Sequence, residues 1–365
     1  MTAPAILYVH DLRGSGVVTN AIALARRLGA ERDTLLVAGY DKGLNRDIDV
    51  SPARLIVLSG AEEPERPRLA AGLKLRQLVR DRKASLVMSM GNYGHKSVLV
   101  ATSGHKINAV YRISNEIGRP VRGLRNLKRR SWHHLFLLSA KRIVLVGRAL
   151  AERPLFARAI AAGKAAYIPN GVDVDRARAL AEAPPPHPRF DDGGVPVVLT
   201  IGRIHPQKNL EGLIDAAALA IQQTRMRLMI VGSGDPARVA KLKARAAELG
   251  ISHAVLFAGE TDNVFAWLKH ARAFVLPSHW EGSSTALLEA LAIGIPVVAA
   301  RQAGDARFVL GDGKYGVIVD ADEPASIAAG ILRQIGSDAV LPGDRVEAYR
   351  LSATHQLYLD LLRGL

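Results

Sequence analysis

The chain contains no cysteine. Disulfides and thiolate metal centres are thereby excluded, and a reducing compartment fits. Aromatic residues amount to only 5%, too few to suggest the stacking platform of a nucleic-acid binder. No apolar run approaches the roughly 20 residues that a membrane-spanning helix needs. Residues 1–5 lead straight into an apolar stretch, without the basic region and long apolar core of a secretory leader, so a cytoplasmic protein is expected. Acidic residues are also short in supply. There are 34 Asp and Glu against 49 Lys and Arg, a formal net charge of +15. Such an excess points to nucleic acid, an anionic membrane or acidic substrates.

What is present is organised around one stretch. The apolar run 273–276 reads as a buried strand. Glu281-Gly282-Ser283-Ser284-Thr285 follows, and then Ala286-Leu287-Leu288-Glu289-Ala290-Leu291-Ala292. Ser283, Ser284 and Thr285 can each cap the coming helix. That helix is apolar almost all round and is expected to be buried. Glu289 breaks the pattern. A carboxylate among leucines and alanines is costly unless it is hydrogen-bonded, so Glu289 should face a polar ligand or a buried partner. Glu281 lies in the loop before the helix. The helix N-terminus between the two offers free backbone N–H groups to an anion or a polyol. A basic partner for Glu289 and a solvated Glu281 are the alternative.

A length of 365 residues exceeds the usual size of one core, so two domains are expected. Strand patterns at 6–9, 34–38, 55–58, 86–90, 109–113 and 143–146 alternate with helical patterns. The alternation restarts at 197–201 and continues through 228–231, 256–258, 273–276, 297–300 and 316–319. This predicts an α/β chain with two parallel sheets. Pro184-Pro185-Pro186-His187-Pro188 and Asp191-Asp192-Gly193-Gly194 read as a stiff, exposed connection. The expected division is 1–170, a linker at 171–194, and 195–344, with a closing helix at about 345–365.

Sheets of this kind bind ligands beyond the C-terminal ends of their strands. In the first half these ends carry Ser15, Gly16 and Asn20, then Gly91-Asn92-Tyr93, then Arg112 and Asn115. Gly14-x-Gly16 lacks the third glycine of a dinucleotide fingerprint and is equally a plain tight turn. In the second half they carry Gly202-Arg203, Lys208-Asn209, Gly232-x-Gly234, Thr261 and Asp262. Arg203 and Lys208 bracket a turn ahead of a helix. Two cations and a helix N-terminus suit a diphosphate by charge, hydrogen bonds and dipole. No Asp-x-Asp motif or histidine cluster appears in these loops, so no metal is expected.

Residues 119–148 hold Arg119, Arg122, Arg125, Lys128, Arg129, Arg130, Lys141, Arg142 and Arg148, and no acid. At about 100° per residue, Arg122, Arg125 and Arg129 share one helix face, with Trp132 at its flank. Leu124, Leu127, Leu135 and Leu138 fall opposite and are expected to dock on the sheet. A face of one charge sign suits an anionic surface. A merely solvated face is the alternative.

Four phrases occur in order: Pro169-Asn170-Gly171, Gly202-Arg203 with Lys208-Asn209, Gly232-x-Gly234, and Glu281 with Glu289 ahead of Gly294-Ile295-Pro296. In them the chain resembles the retaining glycosyltransferases of family 4, the bacterial group 1 enzymes, most firmly over 167–335. The resemblance implies the GT-B fold, two Rossmann-like domains with parallel sheets facing a cleft, the last helix crossing back to the first domain. It implies transfer of a sugar from a UDP- or GDP-linked donor to a hydroxyl of a lipid-linked or cell-surface glycan, with retention and without metal or cofactor. By the same resemblance Arg203 and Lys208 hold the leaving diphosphate and Glu289 the ribose hydroxyls. Glu281, with N–H groups near Ser283, Ser284 and Thr285, orients the sugar. Gly16, Gly202, Gly232, Thr261 and Asp262 line the donor.

Family members carry a histidine where this chain has Ser114-Asn115, so Arg112 or Asn115 is expected to take that sugar contact, with Ser15 and Asn20 on the acceptor side. Enzymes of the family that act on lipid-linked glycans work at the inner face of the cytoplasmic membrane, which gives the Arg122, Arg125, Arg129 and Trp132 face an anionic lipid partner. A GT-B-fold sugar-nucleotide epimerase is the nearest alternative, but lacks the Glu281 and Glu289 phrase. A basic nucleic-acid-binding protein lacks its aromatic platform or recognition helix here.

Overall fold

The apolar runs become strands buried on both faces, as parallel sheets flanked by helices require. The computed structural model describes residues 3–13, 15–41, 43, 48–60, 68–115, 124–190 and 193–365, the side chains of 124–130 excepted. The chain divides into two units, Met1–Pro169 with Thr354–Leu365, and Asn170–Ala353.

The first unit contains β1 (Ala5–Asp11), α1 (Gly16–Gly29), β2 (Thr34–Tyr40), β3 (Arg54–Val57), α2 (Arg68–Asp81), β4 (Leu86–Ser89), α3 (His95–Thr102), β5 (Asn108–Ile113), α4 (Leu124–Ser139), β6 (Arg142–Leu145), α5 (Arg148–Ala151), α6 (Pro154–Ala161) and β7 (Ala165–Tyr167). The sheet order is β3-β2-β1-β4-β5-β6-β7, and the pairings are parallel. Side chains alternate between faces. Ala5, Leu7 and Val9 of β1 join the core under α1. Ile6 and Tyr8 join the opposite one.

Arg112 corrects an expectation. It lies on β5 and is 1% exposed. Its Nε donates to Tyr358 Oη at 2.9 Å and its guanidinium donates to Met90 O at 2.8 Å. The side chain is taken up in the interior of the unit and does not serve as a sugar contact. Burial raises the Tyr358 pKa, and the adjacent Arg112 charge opposes that rise.

The α4 helix corrects another. Leu135 and Leu138 do not dock, being 49% and 64% exposed. Phe136 and Ala140 are buried instead, and Phe136 packs against His95 and Tyr111, with centroids 4.9 and 5.3 Å away. The inward side chain at this end of the helix is thus Phe136, one position along from Leu135.

The second unit contains α7 (Val174–Ala181), β8 (Val197–Ile201), α8 (Leu210–Ile221), β9 (Arg227–Val231), α9 (Pro236–Glu248), β10 (Val255–Gly259), α10 (Val264–His270), β11 (Ala273–Leu276), α11 (Thr285–Ile293), β12 (Val297–Ala300), α12 (Ala306–Val309), β13 (Val317–Val319) and α13 (Pro324–Ile335). Its order is β10-β9-β8-β11-β12-β13. Residues 171–194 are not simply a linker. Asp173 caps α7, and Val174 and Ala177 are buried in one core with Leu288 and Leu291. The proline-rich reading overlooked that short amphipathic helix. After a 3-10 turn at Arg345–Tyr349, α14 (Leu351–Leu362) follows. The division between units falls within it, and Tyr358, Leu359 and Leu362 join the core of the first unit.

Candidate functional site

Two backbone crossings shape the strand ends of the second sheet. Gly202, after β8, has φ +148°, and a Cβ there would lie 3.0 Å from Lys208 Cε. The missing side chain is the space that Lys208 occupies. Gly232, after β9, has φ +138°, and its Cβ would lie 2.0 Å from Gly202 O. Only glycine fits at that close approach. Lys208 itself stands at the end of a 3-10 turn, Pro206–Lys208. The turn hands over to α8 through Asn209, whose left-handed backbone and side chain cap the helix. Asn209 Nδ2 also donates to Ala321 O at 2.6 Å.

Glu281 and Lys208 meet. Lys208 Nζ lies 2.7 Å from Glu281 Oε1, with the side chains 17% and 10% exposed. Ser278 Oγ donates to the same oxygen at 3.0 Å. Gln207 Nε2 donates to Glu281 Oε2 at 3.0 Å and to Trp280 O at 2.8 Å, and Gln207 O accepts from His279 N at 3.0 Å. Three donors on one carboxylate fix its orientation. Gln207 and Ser278 escaped the sequence analysis. Gln207 is buried, and its partners 73 and 74 residues away gave no signal in the local sequence.

Replacing Gln207 with methionine keeps its bulk and removes both donors. The second unit should lose about 1–2 kcal/mol, read as a lower urea midpoint. An unchanged midpoint would mean that these bonds contribute nothing in solution.

Ser284 is the residue that caps α11, its Oγ accepting from Leu287 N at 3.4 Å. Ser283 O accepts from Asn170 Nδ2 at 3.0 Å, which ties the Pro169-Asn170-Gly171 phrase to this loop. Glu289 lies one turn into the helix between Leu288 and Ala290, both fully buried. Burial pushes its pKa up to about 7, and the Lys208 charge only partly opposes this. Arg203 is exposed. Desolvation, followed by the charges of Arg203, Arg238 and Lys208, holds the His205 pKa below its ordinary value.

Thr261 Oγ1 accepts from Asn263 N and Trp267 Nε1, each at 3.3 Å, and Asp262 is exposed. An open cavity of about 430 Å³ lies at the ends of β9 and β10, lined by Gly232, Ser233, Gly234, Gly259, Phe257 and Lys243 among others. Among the described residues no group of three or more His, Asp or Glu is placed to hold a metal ion.

The first-unit candidates are mostly occupied locally. Ser15 caps α1, accepting from Val18 N, and Gly16 is the first residue of that helix. Asn20 Nδ2 donates to Gly16 O at 2.6 Å. Asn115 O accepts from Asn92 Nδ2 at 3.0 Å, which joins the loops after β4 and β5. Gly14 and Arg122 lie outside the described residues, as do the side chains of Arg125 and Arg129. Trp132 carries Lys96 Nζ 4.8 Å from its ring centroid.

Residues 188–339 match the family model described as glycosyl transferases group 1. A D-inositol 3-phosphate glycosyltransferase of Acidothermus cellulolyticus is 35% identical over 171 residues, covering 44% of this chain and 37% of that protein. A lipopolysaccharide core biosynthesis mannosyltransferase of Rhizobium meliloti is 32% identical over 127 residues, covering 33% and 36%. The chain thus spans about two fifths or less of the length of these curated relatives. Among solved structures, Anabaena HepE in complex with UDP and glucose aligns over 100% of both chains with TM-score 0.83 and 18% identity. Sucrose-phosphate synthase from Thermosynechococcus elongatus aligns with TM-score 0.80 and 20% identity, over 100% of both. The chain therefore has the GT-B fold, and its segment 188–339 is similar to the group 1 glycosyltransferases.

Proposed function

We propose that the chain is a retaining glycosyltransferase of family 4, using a UDP- or GDP-sugar. The observation that carries this is the Lys208–Glu281 pair at 2.7 Å, set at the strand ends of the segment that matches group 1 glycosyltransferases. Arg203 and Lys208 take the charge that builds on the departing diphosphate, and that stabilisation dominates the rate. Glu281 and the N–H groups at Ser283, Ser284 and Thr285 orient the sugar. Glu289 accepts from the ribose hydroxyls, and the base lies toward Thr261 and Asp262. In the step itself the bond between the anomeric carbon and the phosphate oxygen breaks. The acceptor hydroxyl adds to that carbon on the same face, and its proton passes to the departing phosphate oxygen.

A panel of nucleotide sugars, scored by hydrolysis and by thermal shift, tests this. One UDP- or GDP-sugar should be hydrolysed slowly and raise the melting temperature. No response to any of them would overturn the proposal. Two cations replace a metal in this scheme, so turnover should survive EDTA. Loss on chelation, restored by Mg²⁺ or Mn²⁺, would show that the diphosphate charge is balanced otherwise.

The acceptor is proposed to be a lipid-linked or cell-surface glycan, met at the inner face of the cytoplasmic membrane. No helix among the described residues is long and apolar enough to cross a bilayer. The single-sign segment 119–148 supports a peripheral contact. Each cation near an anionic surface contributes about 1 kcal/mol. Binding to anionic liposomes should fade with salt and drop in an Arg122/Arg125/Arg129→Glu variant. Equal binding to neutral vesicles would refute the charge argument.

A further inference from the structure

Four strand-end loops of the second sheet are tied to one another, and two of them carry none of the residues assigned to the donor. These two are the turns after β12 and β13. Gln302, in the first, reaches across to the second. Its Nε2 donates to Asp320 Oδ1 at 2.6 Å, and its Oε1 accepts from Ala321 N at 3.0 Å. Ala321 is buried, so a side chain without that oxygen would leave its N–H stranded. Ala321 O in turn accepts from Asn209 Nδ2 at 2.6 Å, and Asn209 directly follows Lys208.

Gly304, two residues beyond Gln302, bears on the other member of the ion pair. A Cβ there would lie 2.7 Å from Glu281 C and 2.8 Å from Gly282 O, and closer still to Glu281 O. The contact is backbone against backbone, so neither side can yield as a flexible side chain would. His279, two residues before Glu281, sets Nδ1 3.1 Å from Asp322 Oδ1. The circuit therefore closes through 207–209, 320–322, 302–304 and 278–282. Lys208 and Glu281 meet where its ends join, at 2.7 Å. A lysine ammonium stands on a flexible four-carbon stem. Its partner alone fixes it poorly, and a backbone held on both sides of the pair removes most of the remaining freedom.

We propose that Gln302 and Gly304 are positioning residues, through which the turn after β12 holds the backbones of Lys208 and Glu281 in register and keeps their ion pair assembled. The consequence for turnover rests on the transferase proposed above. The positioning itself does not.

Labelling of lysine amines on the full chain with acetic anhydride, read by mass spectrometry, tests it. Exposed Lys241 on α9 is the internal reference. Glu281→Gln removes the ionic partner and sets the labelling of a released Lys208. Gln302→Leu and Gly304→Ala should each raise Lys208 labelling relative to Lys241 by about threefold or more, toward that level. Gln302→Glu should do the same, since it sets a second carboxylate against Asp320. Combining it with Asp320→Asn reverses the direction of the bond and should restore wild-type labelling. With any nucleotide sugar that is turned over, Gln302→Leu should lower kcat by about tenfold with little change in KM, and the double variant should recover it. Wild-type labelling in Gln302→Leu would overturn the proposal, whether or not Gly304→Ala folds. So would equal gains at Lys208 and Lys241, the mark of general loosening, or no recovery in the double variant. A released Lys208 with unchanged turnover would keep the positioning and take Lys208 out of the chemistry. If no nucleotide sugar is turned over, the transferase reading falls and the labelling still decides.

Discussion

Replacing Lys208 with alanine should lower turnover of the donor by about 2–4 kcal/mol of barrier, roughly 30- to 1,000-fold, while donor binding changes much less. The reason is the timing of the charge. In the bound donor the diphosphate already carries its ionised oxygens, and Arg203 remains to meet them. The additional negative charge appears only as the sugar leaves, and Lys208, half-buried against Glu281, is the cation proposed to meet it. Its side chain is fixed before any ligand arrives, by Glu281 on one side and the space at Gly202 on the other. Such preorganisation costs nothing at the moment of reaction. The substitution also strips the Glu281 carboxylate of its ionic partner and leaves Ser278 and Gln207 as its neutral donors. A Glu281→Gln companion separates the two effects. If Lys208→Ala acts on the diphosphate, the double variant stays as slow as Lys208→Ala. Full recovery in the double variant, or a change confined to donor affinity, would assign Lys208 to holding Glu281 alone.

Much of this site was legible because its chemistry violates local pattern. A glutamate within Leu288-Glu289-Ala290 and two cations around a glycine-ended strand stand out against an apolar background. The strands were legible for the same reason, their runs being continuous in a sheet covered on both faces. What escaped depends on direction rather than composition. Arg112 reads like any polar residue at a strand end, but its side chain turns inward to Tyr358, 246 residues away in sequence. Period counting on α4 gave an apolar stripe and missed which residue faces inward, since Leu135 and Phe136 are equally apolar. Gln207 was silent because its partners, Trp280 and Glu281, belong to another strand's loop. Long-range partners leave no mark in local spacing.

Glu289→Ala should weaken binding of the free nucleoside diphosphate by about 10- to 150-fold at pH 8, the value of a hydrogen bond to a charged group, and by much less at pH 6. The pH dependence follows from the environment. With its pKa pushed up to about 7 by burial against Leu288 and Ala290, Glu289 is largely neutral at pH 6 and ionised at pH 8. Ribose hydroxyls donate most strongly to the ionised form, so wild-type affinity should rise across that interval. The same shift bears on stability with a definite sign. An unfolded glutamate ionises above its ordinary value of 4.5, while the folded one stays protonated to about 7. The native state therefore loses stability as pH rises between those values, by at most roughly 3 kcal/mol, and the loss is constant above them. Glu289→Gln removes the ionisation and should remove this slope, ending more stable than wild type at pH 8. Calorimetric titration at both pH values and urea unfolding from pH 4.5 to 8 read the two effects. Equal affinity losses at pH 6 and 8, together with parallel stability curves for wild type and Glu289→Gln, would place the carboxylate in water and take it out of the ribose site.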